Sequence, residues 1–382
     1  MKTMIRQGLA VMRRELTRLW RDRGLRGILF LGPLLGLVLF YATYSLQVLK
    51  GIPAAVADLD RSGTSRELVE QITNAENLKV VAYPGSFAEV EELIRRGKIV
   101  AGVVIPEDFG RKVALGRQAR VEMVVDGSNM IYATNATSAM LSVTRTAAAQ
   151  AGIRALVARG LHPDQAGEIY QSVVFREEAW FNPALNYAFF VVLALALNVW
   201  QQCCMLAACT IVIGESGAKS WCQLRAAGVS RLWLFSCKSA VHLAVFMLAV
   251  MPLYALAFLA FKLPLNCSFP VLLLFTLAFA AALHGVGTLA SSFARSAVDA
   301  TRFGMIIALP SFILSGYTWP LEAMPPVLQQ LVKVLPQTWF FQGLSYLTWK
   351  NPDWSFIQPY FLALLIIAAV CYGAAAVIVC RK

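Results

Sequence analysis

Long apolar runs, separated by short polar stretches, dominate the chain. The hydrocarbon core of a bilayer is about 30 Å thick, and a helix that crosses it needs about 20 mostly apolar residues. Six runs meet this length, at 26–47, 185–213, 232–261, 269–292, 303–321 and 357–380. Pro310 and Gly316 interrupt the fifth run and make it the weakest candidate. The pattern predicts an α-helical membrane protein with about six transmembrane helices.

A polar stretch at 51–182 separates the first apolar run from the second. It alternates strand-like with amphipathic, helix-like segments. Strands are predicted at 54–59, 78–82, 99–105 and 121–125, and helices at 64–74, 86–96 and 134–160. Ser62 or Thr64 is placed to cap the first of these helices and Ser86 the second, and Glu89 follows Ser86 at capping-box spacing. The alternation predicts an α/β domain inserted between the first two spans.

Three carboxylates of this domain fall at the ends of predicted strands or in the turn that follows, where α/β proteins often carry their sites. They are Asp58, Asp60 and Asp126. Carboxylates at such positions more often form turns. The stretch has no nucleophile elbow and no phosphate-binding glycine loop. We therefore interpret 51–182 as a binding or docking module.

The residues before the first span form a predicted amphipathic helix. Its apolar residues recur at steps of three and four, namely Ile5, Leu9, Met12, Leu16, Leu19 and Trp20. A helix of this kind lies in the headgroup layer, anchored by basic side chains and a tryptophan. Its charges are either a topology signal alone or part of an elbow helix beside a cytoplasmic partner. In the second case the candidate contact residues are Arg13, Arg14 and Glu15.

Charge is distributed unevenly along the chain. The total is 34 Lys/Arg against 22 Asp/Glu, yet 51–182 holds 14 Lys/Arg and 16 Asp/Glu. The basic excess therefore belongs to the membrane part, where it sets topology, and not to a nucleic-acid-binding surface. One set of segments, which comprises the N-terminal stretch, the 214–231 and 293–302 loops and the C-terminal end, holds fifteen basic residues. The short loops on the opposite side hold three. Both termini are predicted to be cytoplasmic and 51–182 to lie outside.

Composition limits the chemistry of the chain. Charged residues make up only 15%, against about a quarter in soluble domains, which indicates lipid as the solvent. Three histidines and no Cys-x-x-Cys motif argue against a metal site. None of the eight cysteines lies in 51–182, which excludes a disulfide-stapled domain there. We expect no cofactor bound by this chain.

Polar side chains inside membrane spans are functional candidates, because lipid offers them no hydrogen-bond partners. Asn198, Gln201 and Gln202 lie in the second run at helical steps of three and four, and Ser315 lies in the fifth. These residues either line a transport pathway or form hydrogen bonds between helices.

Two ionisable residues lie near the inner end of the third run. We expect Lys238 to extend its ammonium group to the membrane surface while its aliphatic stem stays in the apolar layer. His242 is one turn deeper in the same run, and its role is left open.

The loop at 214–231 is short and basic and joins two long runs. Its first residues look briefly like a phosphate-binding loop, but they lack both glycines that the spacing of that motif requires. An ATPase that drives this chain would therefore be a separate polypeptide. The loop either docks on such a partner or is simply a solvated, positive-inside connection.

Aromatic residues crowd the region after the fifth run, 319–356, as in an interfacial belt. Met324 and Pro325 open a short apolar segment there, and Pro336 closes it. The pattern predicts a pair of short re-entrant helices at 322–350, at the outer leaflet and packed against protein.

Several motifs resemble those of type-2 ABC exporter permeases, in the subgroup with a large outer domain after the first span. They cover most of the chain: Ala57–Ser62 with Ser65–Leu68, Leu93–Lys98 with Val103–Phe109, Val125–Asn129, Trp180–Pro183, Leu314–Tyr317, Met324-Pro325 and Leu335-Pro336. The resemblance implies the transmembrane half of an exporter. Such a half pairs with a second permease copy or a homologous half, and two cytoplasmic ATPase subunits with ATP and Mg drive it.

The resemblance also implies that the 214–231 loop is a coupling helix. The family usually shows Glu-x-Gly-Thr there, and this chain matches it at Glu215 and Gly217 but has Ala218 in the last position. The candidate coupling residues are Glu215, Gly217, Lys219 and Arg225, and those of the outer re-entrant motif are Gly316, Met324, Pro325 and Pro336. The departure leaves open whether the chain pairs with itself or with a homologous half.

We expect a permease subunit of the bacterial inner membrane that exports a small or lipophilic substrate from the cytoplasm, with a periplasmic adaptor as a further candidate partner. The alternative is a membrane-anchored receptor or envelope-assembly scaffold that binds through 51–182. A lipid-modifying enzyme is the weakest interpretation, since no catalytic constellation appears. The predicted parts are the elbow helix 1–24, the first span 25–50, the outer domain 51–182 and a five-helix region 183–382.

Overall fold

A computed structural model describes residues 2–44, 50–170, 180–183, 186–217 and 228–381. In chain order the elements are α1 Lys2–Arg21, α2 Arg23–Thr43, β1 Ile52–Asp58, α3 Gly63–Thr73, β2 Leu78–Ala82, α4 Phe87–Arg95, β3 Ala101–Ile105, α5 Phe109–Ala114, β4 Glu122–Val125, α6 Met130–Val157, α7 Pro163–Tyr170, α8 Tyr187–Cys209, α9 Ile213–Gly217, α10 Arg231–Ala255, α11 Phe269–Phe293, α12 Ala297–Leu314, α13 Pro326–Leu331, α14 Pro336–Trp349 and α15 Trp354–Arg381. They form two compact units, Leu46–Ala179 and the rest of the chain.

Six helices in the described part of the chain are long and apolar enough to cross a membrane. They are α2, α8, α10, α11, α12 and α15. Helices α8 and α11 are the most buried of the six, and α11 packs against α8, α10, α12 and α15. The prediction of a helical membrane protein with about six spans and an inserted α/β domain is confirmed.

The fifth span begins earlier than its apolar run suggested. The expected range was 303–321, but α12 starts at Ala297, because the hydroxyl of Ser296 accepts a hydrogen bond from the backbone N–H of Asp299 and caps the helix. It ends where Gly316 adopts a φ of +83°, a conformation that glycine adopts without steric cost. Pro310 lies inside the helix without ending it.

Helix α1, the elbow helix, turns different faces to protein and to the surroundings. Ile5, Leu9, Leu16 and Trp20 are exposed, as expected for a helix in the headgroup layer. Leu19 belongs to the same apolar stripe in sequence but is buried, as is Val11, in contacts within the membrane unit. Asp22 separates α1 from α2, since its carboxylate accepts from the N–H of Leu25 at 3.0 Å and caps α2.

The inserted domain is built on a four-stranded sheet in the order β2-β1-β3-β4. The first three strands are parallel, and β4 runs antiparallel to β3. Every residue of β3 is buried, because helices cover both faces of a parallel sheet. Leu68, Ile72 and Met140 pack on one face, and Val90 packs on the other. The predicted caps at Ser62 and Ser86 are confirmed.

The carboxylates at the strand ends of this domain form turns. Asp58 accepts hydrogen bonds from the N–H of Arg61 and the hydroxyl of Ser65, both at 2.9 Å. Asp60 accepts from the N–H of Gly110 at 3.0 Å, and Asp126 from the N–H of Ser128 at 2.9 Å. These bonds favour the structural interpretation of the three aspartates over a catalytic one.

Candidate coupling site

Glu215 lies in the short helix α9, where the chain leaves the second span, and its side chain is buried. Its carboxylate forms an ion pair with the guanidinium of Arg14 in the elbow helix. It also accepts a hydrogen bond from Nζ of Lys238 in α10 at 2.7 Å. A single carboxylate therefore joins the elbow helix, the start of the 214–231 loop and the third span.

Lys238 is fully buried, and the expectation that it extends to the membrane surface is wrong. Besides Glu215, its ammonium donates to the carbonyl of Ile211 at 3.1 Å and lies 3.3 Å from Oε2 of Glu15. Two of the three donors of the ammonium group therefore make hydrogen bonds, and the contact with Glu15 is an ion pair. This enclosure replaces the water that Lys238 would otherwise have to reach.

Glu15 faces the protein from the elbow helix, and its side chain is 2% exposed. Its Oε1 lies 3.1 Å from Nε2 of His242, and Arg18 lies 3.9 Å from the same oxygen. Burial raises the pKa of Glu15, but the hydrogen bond to His242 and the charge of Lys238 outweigh burial and lower the pKa to about 2. Glu15 is therefore ionised at neutral pH. We call Glu15, Glu215, Lys238 and His242 the buried charge cluster.

The buried charge cluster continues into the spans through a second histidine. The rings of His242 in α10 and His284 in α11 pack with centroids 5.2 Å apart at 85°. Nδ1 of His284 lies 2.9 Å from the hydroxyl of Tyr372 in α15 and 3.2 Å from that of Thr288. A polar path thus connects the elbow helix with three spanning helices.

The start of the loop is held by close packing. The hydroxyl of Ser291 in α11 accepts the N–H groups of Val212 and Ile213, both at 3.1 Å. The guanidinium of Arg18, at the flexible end of a partly exposed side chain, lies over Gly214, where an added Cβ would come within 2.4 Å of it. Gly217 ends α9, and the two other candidate coupling residues, Lys219 and Arg225, lie outside the described residues.

The candidate pathway residues lie at the contact between α8 and α12. Gln201 is fully buried and donates from Nε2 to Asn198 at 2.8 Å and to the hydroxyl of Ser311 at 3.3 Å. Its Oε1 has no partner among the described residues. Asn198 and Gln202 are partly exposed, and Ser315 is buried and donates to a carbonyl of α12. Gln201 thus makes an interhelical contact, and a pathway-lining role for these residues stays a prediction.

The outer re-entrant motif forms two short helices, α13 and α14, that begin at Pro326 and Pro336. Proline suits the first helical position because its missing N–H is not needed there. Pro325 precedes α13, and Met324 is buried. Gly316 has a φ of +83°, which favours glycine, and a Cβ there would come within 2.7 Å of Cγ of Leu321 and of the amide of Gln342 in α14. Placement of these helices in the outer leaflet stays a prediction.

Arg13 is exposed, whereas Arg14 and Glu15 beside it take part in the cluster contacts. Reasoning from sequence did not connect Lys238 or His242 with them. One signal was present: a lysine and a histidine four residues apart on one helical face are costly in an apolar run unless other charges meet them.

The sequence matches one family of membrane proteins along most of its length. A family model described as "ABC-2 family transporter protein" matches residues 24–377. "Probable multidrug ABC transporter permease YbhR" of Escherichia coli K12 is 25% identical over 97% of this chain and 98% of its own length. "Inner membrane transport permease YhhJ" of the same strain is 23% identical over 87% of this chain and 86% of its own. The family model covers the inserted domain and nearly all of the six candidate spans. This chain therefore belongs to the ABC-2 family of transporter proteins.

Proposed function

We propose that this chain is the permease subunit of an ATP-driven exporter that moves a small or lipophilic substrate out of the bacterial cytoplasm. Membership of the ABC-2 family implies ABC ATPase subunits and the lipid bilayer as partners. The multidrug designation of one relative supports a lipophilic substrate class. Family membership does not favour the alternative of a receptor or scaffold.

The buried charge cluster carries the proposal. An ATPase that pushes on the 214–231 loop moves α9, and α9 is tied through Glu215 to Arg14 in α1 and to Lys238 in α10. The pair of Glu215 with Lys238 is held out of water and resists separation, because a carboxylate or ammonium left alone there is strongly destabilised, whereas Arg14 is a partly exposed partner. Movement of the loop would therefore be transmitted to the elbow helix and the third span together.

The topology and the remaining partners belong to the same proposal. The basic residues of the termini and of the 214–231 and 293–302 loops support a cytoplasmic location for these segments in the inner membrane. The inserted domain then faces the periplasm, where an adaptor protein could bind it. A second permease copy or a homologous half completes the transport unit, and ATP and Mg are held by the ATPase.

Reconstitution tests the proposal. The chain is purified with its ABC ATPase, placed in proteoliposomes, and supplied with ethidium, a lipophilic cationic dye, as the probe. We expect ATP to drive ethidium movement away from the ATPase side, and the dye to stimulate hydrolysis. The control is the same complex with an ATPase that binds but does not hydrolyse ATP. Failure of the chain to associate with any ABC ATPase would contradict the proposal.

A further inference from the structure

The outer face of the elbow helix α1 carries a basic groove that the coupling role leaves unexplained. The groove has a volume of about 680 Å³, and its lining includes Ala10, Thr17 and the four arginines Arg13, Arg14, Arg18 and Arg21. All four arginines are exposed, and no acidic side chain lines the groove in the described part of the chain. We call this surface the arginine groove.

Helical geometry collects these arginines on one side of α1. Arg14, Arg18 and Arg21 follow one another at steps of four and three, which places them on one helical face. Arg13 and Thr17 form a neighbouring row, also at a step of four. Like charges at these spacings repel each other and destabilise a helix. An anionic partner in the groove would therefore stabilise α1.

Two of the arginines connect the groove with the coupling site. The guanidinium of Arg14 forms an ion pair with Glu215, and that of Arg18 lies over Gly214. Their side chains are nevertheless 42% and 46% exposed, so both guanidinium groups also face the groove. A guanidinium carries five N–H donors in a planar fork that matches the oxygens of a phosphate group. The arginine groove therefore suits a phosphate that contacts more than one arginine.

The position of α1 favours a lipid as the source of this phosphate. Helix α1 packs along about the first three turns of α10, since Val11 packs with Leu234 and Glu15 lies 3.1 Å from His242. A single residue, Asp22, separates α1 from the first span. The groove thus lies where the spans α2 and α10 begin, and the lipid headgroups lie at that level.

Large apolar side chains beside the groove support the same partner. Leu9 at the edge of the groove is 61% exposed, and Leu16 and Trp20 are about half exposed. Tryptophan is enriched at the headgroup level, where its ring meets both apolar and polar surroundings. A lipid layer covers these apolar side chains while its headgroups meet the arginines. A soluble phosphate ion would satisfy the arginines only.

We infer that the arginine groove binds the phosphate group of an anionic phospholipid, with the acyl chains of the lipid beside Leu9 and Leu16. Arg13 and Arg21 hold the phosphate from the outer side, and Arg14 contacts both the phosphate and Glu215. The bound lipid is thus a neighbour of the coupling site. Any effect of the lipid on coupling rests on the proposed function, whereas lipid binding itself does not.

Native mass spectrometry of the full chain tests the inference. The probe is dioleoylphosphatidylglycerol, compared with dioleoylphosphatidylcholine, which has the same acyl chains and no net charge. We expect the anionic lipid to bind more tightly. The double variant Arg13→Gln, Arg21→Gln should weaken its binding about fivefold for each arginine removed. The matched control, Arg295→Gln with Arg302→Gln, removes two exposed charges outside the groove and should leave the preference unchanged.

Several results would overturn the inference. Equal losses in the two double variants would show a general effect of surface charge, and equal binding of the two lipids would show that headgroup charge plays no part. Release of phosphatidylglycerol by inorganic phosphate would assign the groove to a soluble anion, and release by the purified ABC ATPase would assign it to a protein partner.

A photoactivatable phosphatidylglycerol keeps the test decisive if the groove variant fails to fold, because it needs only the wild type. We expect its crosslinks to the full chain in lipid bilayers to fall between Leu9 and Arg21. Crosslinks confined to other segments would contradict the inference. Neither measurement requires ATP turnover, so a failure here is distinguishable from a failure of the export proposal.

Discussion

The ammonium of Lys238 lies 2.7 Å from the carboxylate of Glu215, although one residue belongs to a spanning helix and the other to the loop that leaves a different span. Both side chains are buried. Replacing a buried ion pair by apolar residues is often neutral or stabilising, so this pair is weak evidence for stability. The ion pair instead contributes to structural specificity, because it holds α9 against α10 in one arrangement.

Removal of the Glu215 carboxylate should uncouple ATP hydrolysis from transport. In Glu215→Ala the ammonium of Lys238 and the guanidinium of Arg14 lose their common partner, and α9 loses its tie to both helices. We expect substrate-stimulated hydrolysis in the reconstituted complex to be abolished, while membrane insertion is retained. Glu322→Gln, at an exposed carboxylate outside the cluster, is the matched control. Unchanged stimulation in Glu215→Ala would remove the residue from the coupling role.

Neutralising one charged residue of the buried charge cluster should lower the stability of the protein more than neutralising three. Lys238→Met takes the buried cation away from two buried carboxylates and leaves them only the partly exposed Arg14 and Arg18, which we expect to destabilise the protein by about 3–5 kcal/mol. The triple variant Glu15→Gln, Glu215→Gln, Lys238→Met leaves no buried unpaired charge and should recover most of the loss. Thermal unfolding in detergent measures both. A triple variant less stable than Lys238→Met would contradict this account of the cluster. We also expect the triple variant to remain uncoupled from ATP hydrolysis even if it is stable.

The protein should become less stable at acidic pH, because the carboxylate of Glu15 is then protonated. Its pKa falls from 4.5 to about 2 on folding, so its contribution is fully present above pH 4.5 and is lost as pH drops toward 2. The shift corresponds to about 3 kcal/mol. Measurement of the melting temperature at several pH values from 6 to 2 tests this, with Glu15→Gln as reference. The difference between the two proteins should shrink across that range, and a constant difference would show that the carboxylate is not responsible.

Reasoning from sequence succeeded where the signal was local and periodic. The strand at 78–82 and the cap at Ser86 followed from alternation and capping spacing, and both are present as predicted. The six spans followed from the length of apolar runs, since lipid imposes that length. The start of α12 was misplaced because a serine cap extended the helix into polar residues.

The buried charge cluster could not be predicted in the same way. Glu15, Glu215 and Lys238 are far apart in sequence, and a single sequence contains no information on which elements pack together. Each residue alone had an ordinary interpretation: a charged position on the elbow helix, a loop acid and a surface-reaching lysine. Contact between three elements turned these separate features into one site.

The contact between α8 and α11 should depend on a single glycine. A Cβ on Gly287 would lie 2.5 Å from Cβ of Ala208 and 3.2 Å from its backbone carbon, and backbone atoms of a packed helix cannot move aside cheaply. Small residues at such contacts let membrane helices approach closely. We expect Gly287→Ala to destabilise the protein by about 1–3 kcal/mol, measured as thermal unfolding in detergent.

Gly373→Ala in α15, where a Cβ meets nothing within 4 Å, is the control for Gly287→Ala. It should be neutral or slightly stabilising, because alanine favours helix over glycine. Equal effects of the two substitutions would show that helix propensity, and not the closeness of α8 and α11, determines the outcome.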